Sequence, residues 1–291
     1  MNTFWIILTG SLVAVSCALV GSFLLLRKMT LIGDAISHAV LPGIVLAYLI
    51  SGSRSPLVML AGAAATGVLV TVLIEWLHRR ARLAADASIG LSFTFLFAVG
   101  VILISLFAGQ VDLDQECVLY GEIAYVPLDT WTVGEMNLGP RPVWILGGLT
   151  LVIGLFVWLA YKPLLVTSFD PAYAVSVGIA TGVWHYALMS LISLTTVLSF
   201  ESVGAILVIA FLVGPPAAAW LLADRLPVML AWAAGLGVLA AVGGYGLALA
   251  VDGSIAGAMA VVIGLEFLAA LGISRWRKQS PVPDPLVPAE A

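Results

Sequence analysis

Apolar residues run along this chain in long, uninterrupted blocks, and polar residues are confined mostly to the gaps between them. Nine blocks, at 4–26, 31–50, 57–77, 87–108, 143–161, 178–198, 203–223, 227–251 and 254–273, reach or approach the roughly 20 residues a helix needs to cross a hydrocarbon core. Continuous runs predict spanning helices, whereas barrel strands would alternate apolar and polar positions with period two. The pattern therefore predicts an all-α, polytopic membrane helix bundle of eight to nine transmembrane helices. Eight applies if the stretch around Gly214 and Pro215 is re-entrant.

Composition agrees with that class. Hydrophobic residues make up 62% of the 291 and charged residues 10%, against roughly 25% charged in soluble domains, and the mean hydropathy is +1.14. The net charge of −4 matters less than its distribution. Arg27 and Lys28, then Arg79, Arg80 and Arg82, then Lys162, then Arg225, then Arg275, Arg277 and Lys278 occupy alternate connections; only Arg54 and Arg141 fall on the others. Cytoplasmic loops collect basic residues, so nine spans place the N-terminus outside and the C-terminus in the cytoplasm. The first block has no basic residue ahead of it and reads as a retained span, not a cleaved signal. Cys17 inside that block reads as a packing residue, and no disulfide with Cys117 is presumed.

Against this background Asp34 and His38 stand out. They lie four apart within the second block, and an ionisable side chain near a bilayer centre costs a few kcal/mol or more unless it faces protein or a watery path. At i and i+4 they share one helix face. A carboxylate and an imidazole together offer oxygen and nitrogen ligands to a divalent cation such as Mn, Fe or Zn, as half of a site. The structural alternatives are a contact that pins two helices, or an Asp34 placed near the headgroups and paired with Arg27 or Lys28. His185, Glu201, Asp252 and Glu266 complete the intramembrane polar groups noted. Of these, His185 reads as a core histidine and Asp252 as a turn residue. Glu201 reads as an interfacial capping carboxylate or a possible outer gate, and Glu266 as a group that needs a partner. Gly214, Pro215 and Pro216 predict a kink or break, since two prolines remove two backbone donors. Small residues in the 62–67 and 235–246 stretches predict close helix packing.

No G-x-x-x-x-G-K-[ST], H-E-x-x-H, G-x-S-x-G or C-x-x-C sequence occurs, so the chain shows no apparatus for ATP binding, hydrolysis or redox catalysis and reads as no enzyme. Three longer segments remain. The 109–142 connection carries Asp112, Asp114, Glu116, Glu122, Asp129 and Glu135 against Arg141 alone, a loop that attracts cations or a basic partner. In 162–178, Ser168 or Asp170 can cap a short helix opened by Pro171 and stopped at Gly178, suited to docking in a partner's groove. The proline-rich 274–291 reads as a disordered cytoplasmic tail following a single transmembrane domain at 1–273.

The run LLRKMTLIGDAISHAVLPGIVLAYLI, the loop DLDQECVLYGEI, the segment SFDPAYAVSVGI and the stretch SFESVGAILVIAFLVGPPAAAWLL, in that order, resemble the permease subunits of manganese, zinc and iron ABC importers. The resemblance covers about residues 20 to 270. It implies a type II importer fold similar to the vitamin B12 importer's membrane subunit, in the bacterial plasma membrane. It implies two permeases, identical or paralogous, two cytoplasmic ATP-binding subunits and an extracytoplasmic metal-binding protein, with ATP on the partner and no cofactor on this chain. Asp34 and His38 would contact the metal. Phe169, Asp170, Pro171, Ala174 and Gly178 would belong to the coupling helix. No metal role is carried onto Glu201 or Cys117. Trp220 departs from the expectation of small or polar residues after the double proline. Oxygen and nitrogen ligands without thiolate suit manganese and iron at least as well as zinc, and the resemblance of the DLDQECVLYGEI loop favours manganese. The competing functional readings are a secondary transporter or channel that uses Asp34 and His38 as a relay, and a receptor or scaffold that moves nothing.

Overall fold

A computed structural model describes residues 2–52, 56–107, 123–133 and 136–279. Twelve α-helices are described: α1 Asn2–Leu26, α2 Ile32–Ala39, α3 Leu41–Ser51, α4 Pro56–Arg80, α5 Ala85–Phe107, α6 Arg141–Leu159, α7 Tyr161–Phe169, α8 Pro171–Ser176, α9 Thr181–Val203, α10 Ala205–Leu222, α11 Leu226–Val251 and α12 Ile255–Gln279. Nine spans among the described residues are long and apolar enough to cross a membrane, with α2 and α3 forming one of them. The nine predicted blocks are thus present. The sixth runs further than predicted, to Val203, because its last two turns (Thr195 to Ser202) bury serines, threonines and Phe200 against neighbours. The last helix continues past the predicted boundary at Ile273, with Ser274 buried; residues 280–291 lie outside the described part.

α1 is the hub. It packs against α6, α9, α10 and α11, while α2 to α5 form a second group joined to the first through α9 and α10. Lipid is as apolar as leucine, so close backbone approach, not hydrophobic transfer, holds such helices together. Gly43 on α3 and Gly62 on α4 meet backbone to backbone, with Thr66 alongside; Gly100 on α5 leaves room for Pro42. Ser16 and Thr150 share a 2.7 Å hydrogen bond between α1 and α6.

The double proline does not interrupt its span. α10 is helical through Pro215 and Pro216, both buried. Pro216 cannot donate to the carbonyl of Leu212, and that carbonyl lies against Gly21 of α1, where only a hydrogen on Cα fits. The neighbouring helix thus packs its backbone against one of the two freed carbonyls, and the span stays helical where a kink or break is predicted. The chain breaks instead at Gly204 (φ 79°, ψ 161°), a conformation essentially restricted to glycine, which separates α9 from α10.

The acidic connection is described only from Ile123. Ile123 and Val126 of a 3-10 turn, Ile123–Leu128, are buried, and strands β1 (Thr130–Val133) and β2 (Met136–Pro140) pair antiparallel before α6. This small hairpin is an addition to the all-α expectation. Asp112, Asp114, Glu116, Cys117, Glu122 and Glu135 lie outside the described residues.

Candidate functional site

α2 is amphipathic: Ile32, Gly33, Ala35, Ile36 and Ala39 are buried, and Asp34 and His38 emerge together on its other side. Gly33 makes the burial possible, since a Cβ there would stand 2.7 Å from Leu212. His38 Nε2 lies 3.6 Å from Asp34 Oδ1, and the two side chains are 41% and 42% exposed, so they form a loose pair open to one side. The His38 ring is flanked by Phe93 and Phe97 of α5, each with its centroid 6.0 Å away. Those rings limit how far the imidazole can swing. Among the described residues no third His, Cys, Asp or Glu joins the pair in a metal-holding group.

Pro42 follows His38 by four residues and has no N–H to donate to the His38 carbonyl, so the ladder between α2 and α3 is interrupted. Val40 keeps helical torsions (φ −72°, ψ −19°), and the second span continues as one rod. It carries its irregularity directly beside the polar pair.

Arg27 does not pair with Asp34. Its Nε donates to Ser168 Oγ and its Nη2 to Thr167 Oγ1, each at 3.1 Å, while Nη1 approaches His185 Nδ1 at 3.3 Å. A guanidinium can only donate, so Nδ1 accepts and the His185 proton sits on Nε2, which faces Glu75 Oε2 at 3.4 Å. His185 is therefore a bridge between α1, α4 and α9, not a plain core histidine. Glu75, buried on α4, was absent from the polar groups noted in the sequence. It lies one turn before Arg79 on α4, and its partner His185 lies on a helix more than a hundred residues away in sequence.

The short helix predicted after Ser168 forms as α8. Asp170 is its cap, accepting from the Tyr173 N–H at 2.9 Å, and Ser168 is engaged by Arg27 instead. Pro171 opens the first turn. Gly178 (φ 81°) closes the helix with Ile179 N–H bonded back to Ala174, an arrangement that needs the left-handed conformation glycine adopts freely. Ala174 is fully buried, while Phe169, Tyr173, Val175 and Val177 are exposed. Replacing Asp170 with alanine should cost about 1 kcal/mol of local helix stability. Hydrogen exchange at the Tyr173 amide should then accelerate about fivefold; unchanged exchange would mean the cap is redundant.

The remaining candidates do not join Asp34 and His38. Glu201 is exposed in the last turn of α9, within electrostatic range of Arg141 and Asp129. It lies at the C-terminal end of α9 and four residues before α10 begins, so the two helix dipoles act on it in opposite senses. Glu266 Oε2 on α12 has no hydrogen-bond partner among the described residues, and Asp252 caps α11 in a left-handed conformation (φ 51°). Cys17 is buried in α1. Trp220 is exposed in the last turn of α10. Trp76, Trp158 and Trp276 are likewise exposed near the ends of their helices. All four ends lead into basic connections, the level at which indole rings favour the membrane interface. That accounts for the size of Trp220.

Comparison with known proteins places this arrangement. The chain is 48% identical over 266 residues to the manganese transport system membrane protein MntD of Bacillus subtilis, covering 91% of this chain and 90% of that protein. It is 43% identical over 265 residues to the zinc transport system membrane protein TroD of Treponema pallidum, covering 91% and 72%. Its fold superposes on a chain of PsaBC from Streptococcus pneumoniae, solved in complex with a Fab, with a TM-score of 0.77, 30% identity and coverage of 95% and 94%. The ABC 3 transport family model matches residues 1–274, and with nine spans around one polar pair this chain belongs to that family.

Proposed function

We propose that this chain is the membrane-spanning permease of an ABC importer that brings a divalent transition metal, preferentially manganese, into the cytoplasm. The observation that carries the proposal is the Asp34 and His38 pair: two ligands on one helix face, half exposed, beside an interrupted helical ladder. Two permeases about a twofold axis supply two carboxylates and two imidazoles, a four-ligand set for the cargo ion. The second permease is another copy or a paralogue. Oxygen and nitrogen ligands without thiolate suit manganese and iron as well as zinc, and the likeness to MntD favours manganese.

The other parts follow from that role. Phe169, Asp170, Pro171, Ala174 and Gly178 build a coupling helix whose exposed aromatic and aliphatic side chains seat in a cytoplasmic ATP-binding subunit, where ATP is bound. An extracytoplasmic metal-binding protein delivers the ion to the outer face, where Glu201 borders the entrance as a candidate gate. The basic connections support a cytoplasmic C-terminus, and with it a cytoplasmic 274–291 tail after a transmembrane domain at 1–273; an importer of this kind sits in the bacterial plasma membrane.

Vesicles containing this chain, its ATP-binding subunit and its binding protein should accumulate radioactive manganese in an ATP-dependent manner. Omission of any one component should reduce uptake to background. Transport by this chain alone, down a gradient, would replace the importer with a secondary carrier.

A further inference from the structure

We infer that the cytoplasmic side of this chain holds a binding site for a phosphate-bearing anion, and that its occupant is the headgroup of an anionic phospholipid. The site rests on the membrane orientation proposed above, but not on metal import.

The cavity involved has a volume of about 490 Å³ and lies between the turn after α1, the end of α4, the α7–α8 junction and the start of α9. Arg27, Lys28, His78 and His185 line it, with hydroxyls from Ser168 and Thr181, and no carboxylate forms part of its wall. Glu75 lines an adjoining cavity of about 240 Å³ that shares Arg27, Lys28, His78 and His185 with this one, and its contact with Arg27 runs through the His185 ring, not through a direct ion pair. The half-buried guanidinium of Arg27 is held by neutral partners alone: two hydroxyls and the accepting nitrogen of His185. Burial pulls it down to about 10, and it stays cationic at neutral pH. A cation withdrawn from water without a counter-charge is unfavourable, and an anion in this cavity supplies that counter-charge. The three contacts use three of the five guanidinium N–H groups, which leaves two to donate to phosphate oxygens.

Lys28 adds a second cation from a left-handed backbone position (φ 58°) that few non-glycine residues adopt, and its side chain is exposed. Among the described residues it makes no ion pair or side-chain hydrogen bond.

The depth of the cavity selects the source of the phosphate. Trp76, two residues from His78, and Tyr186, next to His185, are both exposed aromatic residues, and such rings settle at the headgroup level of a bilayer. Basic pockets between spans on the cytoplasmic side are where anionic headgroups bind. Phe169 and Pro171 also line the cavity, so a bound headgroup would hold the α1 turn against the start of α8, the helix proposed to dock the ATP-binding subunit.

The test uses the full chain in nanodiscs made with equal amounts of phosphatidylglycerol and phosphatidylcholine, extracted and weighed by native mass spectrometry. Phosphatidylglycerol should be retained preferentially. Lys28→Gln should weaken that retention about fivefold, the factor expected for one surface charge. His78→Gln together with Lys28→Gln should weaken it further, and Lys28→Arg should preserve it. Both altered side chains are exposed, and matching thermal unfolding midpoints will confirm that the variants are folded. Equal retention of the two lipids, or unchanged retention in the double variant, overturns the site. Binding of inorganic phosphate with no preference between the lipids assigns the cavity to free phosphate and overturns the headgroup. Because the readout is bound lipid, failed manganese uptake would leave this result standing.

Discussion

Asp34→Ala should reduce ATP-dependent manganese uptake by at least about a hundredfold, and His38→Ala should do the same. Side chains that only hydrogen-bond to a metal's ligands already cost about 10- to 100-fold when removed, so loss of a direct ligand would set a higher floor. If both permeases are copies of this chain, each substitution also removes two ligands of four at once. Stability should change little, because the two side chains are about two-fifths exposed and their mutual contact is a loose 3.6 Å. The variants should therefore reach the membrane, assemble with the ATP-binding subunit and hydrolyse ATP. That combination separates a cargo ligand from a helix-pinning contact, which would lower the thermal unfolding midpoint instead. Near-normal uptake by both variants would remove the pair from the mechanism.

The second large effect is on folding. Gly21→Val should destabilise the bundle by about 3 kcal/mol or more, at or above the upper end of the usual range for overpacking. A Cβ at Gly21 would overlap the Leu212 carbonyl oxygen and stand 2.9 Å from its carbon. The obstacle is backbone, so no change of rotamer relieves it, and α1 must move away from α10. Because α1 also packs on α6, α9 and α11, that movement disturbs the whole hub. Gly147→Val on α6 is the control, because a Cβ there meets nothing within 4 Å. Thermal unfolding in detergent should separate the two variants clearly. Equal midpoints would show that the α1–α10 contact is not a tight one.

These two sites differ in how far the sequence reveals them. The spans are legible because an apolar run of sufficient length has few other fates, and the blocks around 4–26 and 227–251 match α1 and α11 to within two residues. Asp34 and His38 are legible because charge in such a run is expensive, and α8 because Asp170, Pro171 and Gly178 each carry a local backbone preference. What the chain hides is tertiary. Nothing local says that the carbonyl freed by Pro216 packs against Gly21, nearly two hundred residues earlier. Nor does spacing join Arg27 to His185, separated by 158 positions, or identify Glu75 as the third member of that chain of contacts. Packing keeps the double proline helical, while the interruptions that do form, beside Pro42 and at Gly204, follow from the missing proline N–H and the torsions open to glycine.

The missing N–H of Pro42 bears on how an ion travels. A hydrated divalent cation must exchange waters for protein atoms as it enters, and then exchange back. Charged ligands favour entry but retain the ion; a neutral oxygen exchanges with water at little cost either way. The His38 carbonyl, relieved of its helical donor, is such an oxygen, and it belongs to one of the two residues proposed to hold the ion. In the proposed importer that oxygen would let dehydration proceed in smaller steps than two side chains alone would allow.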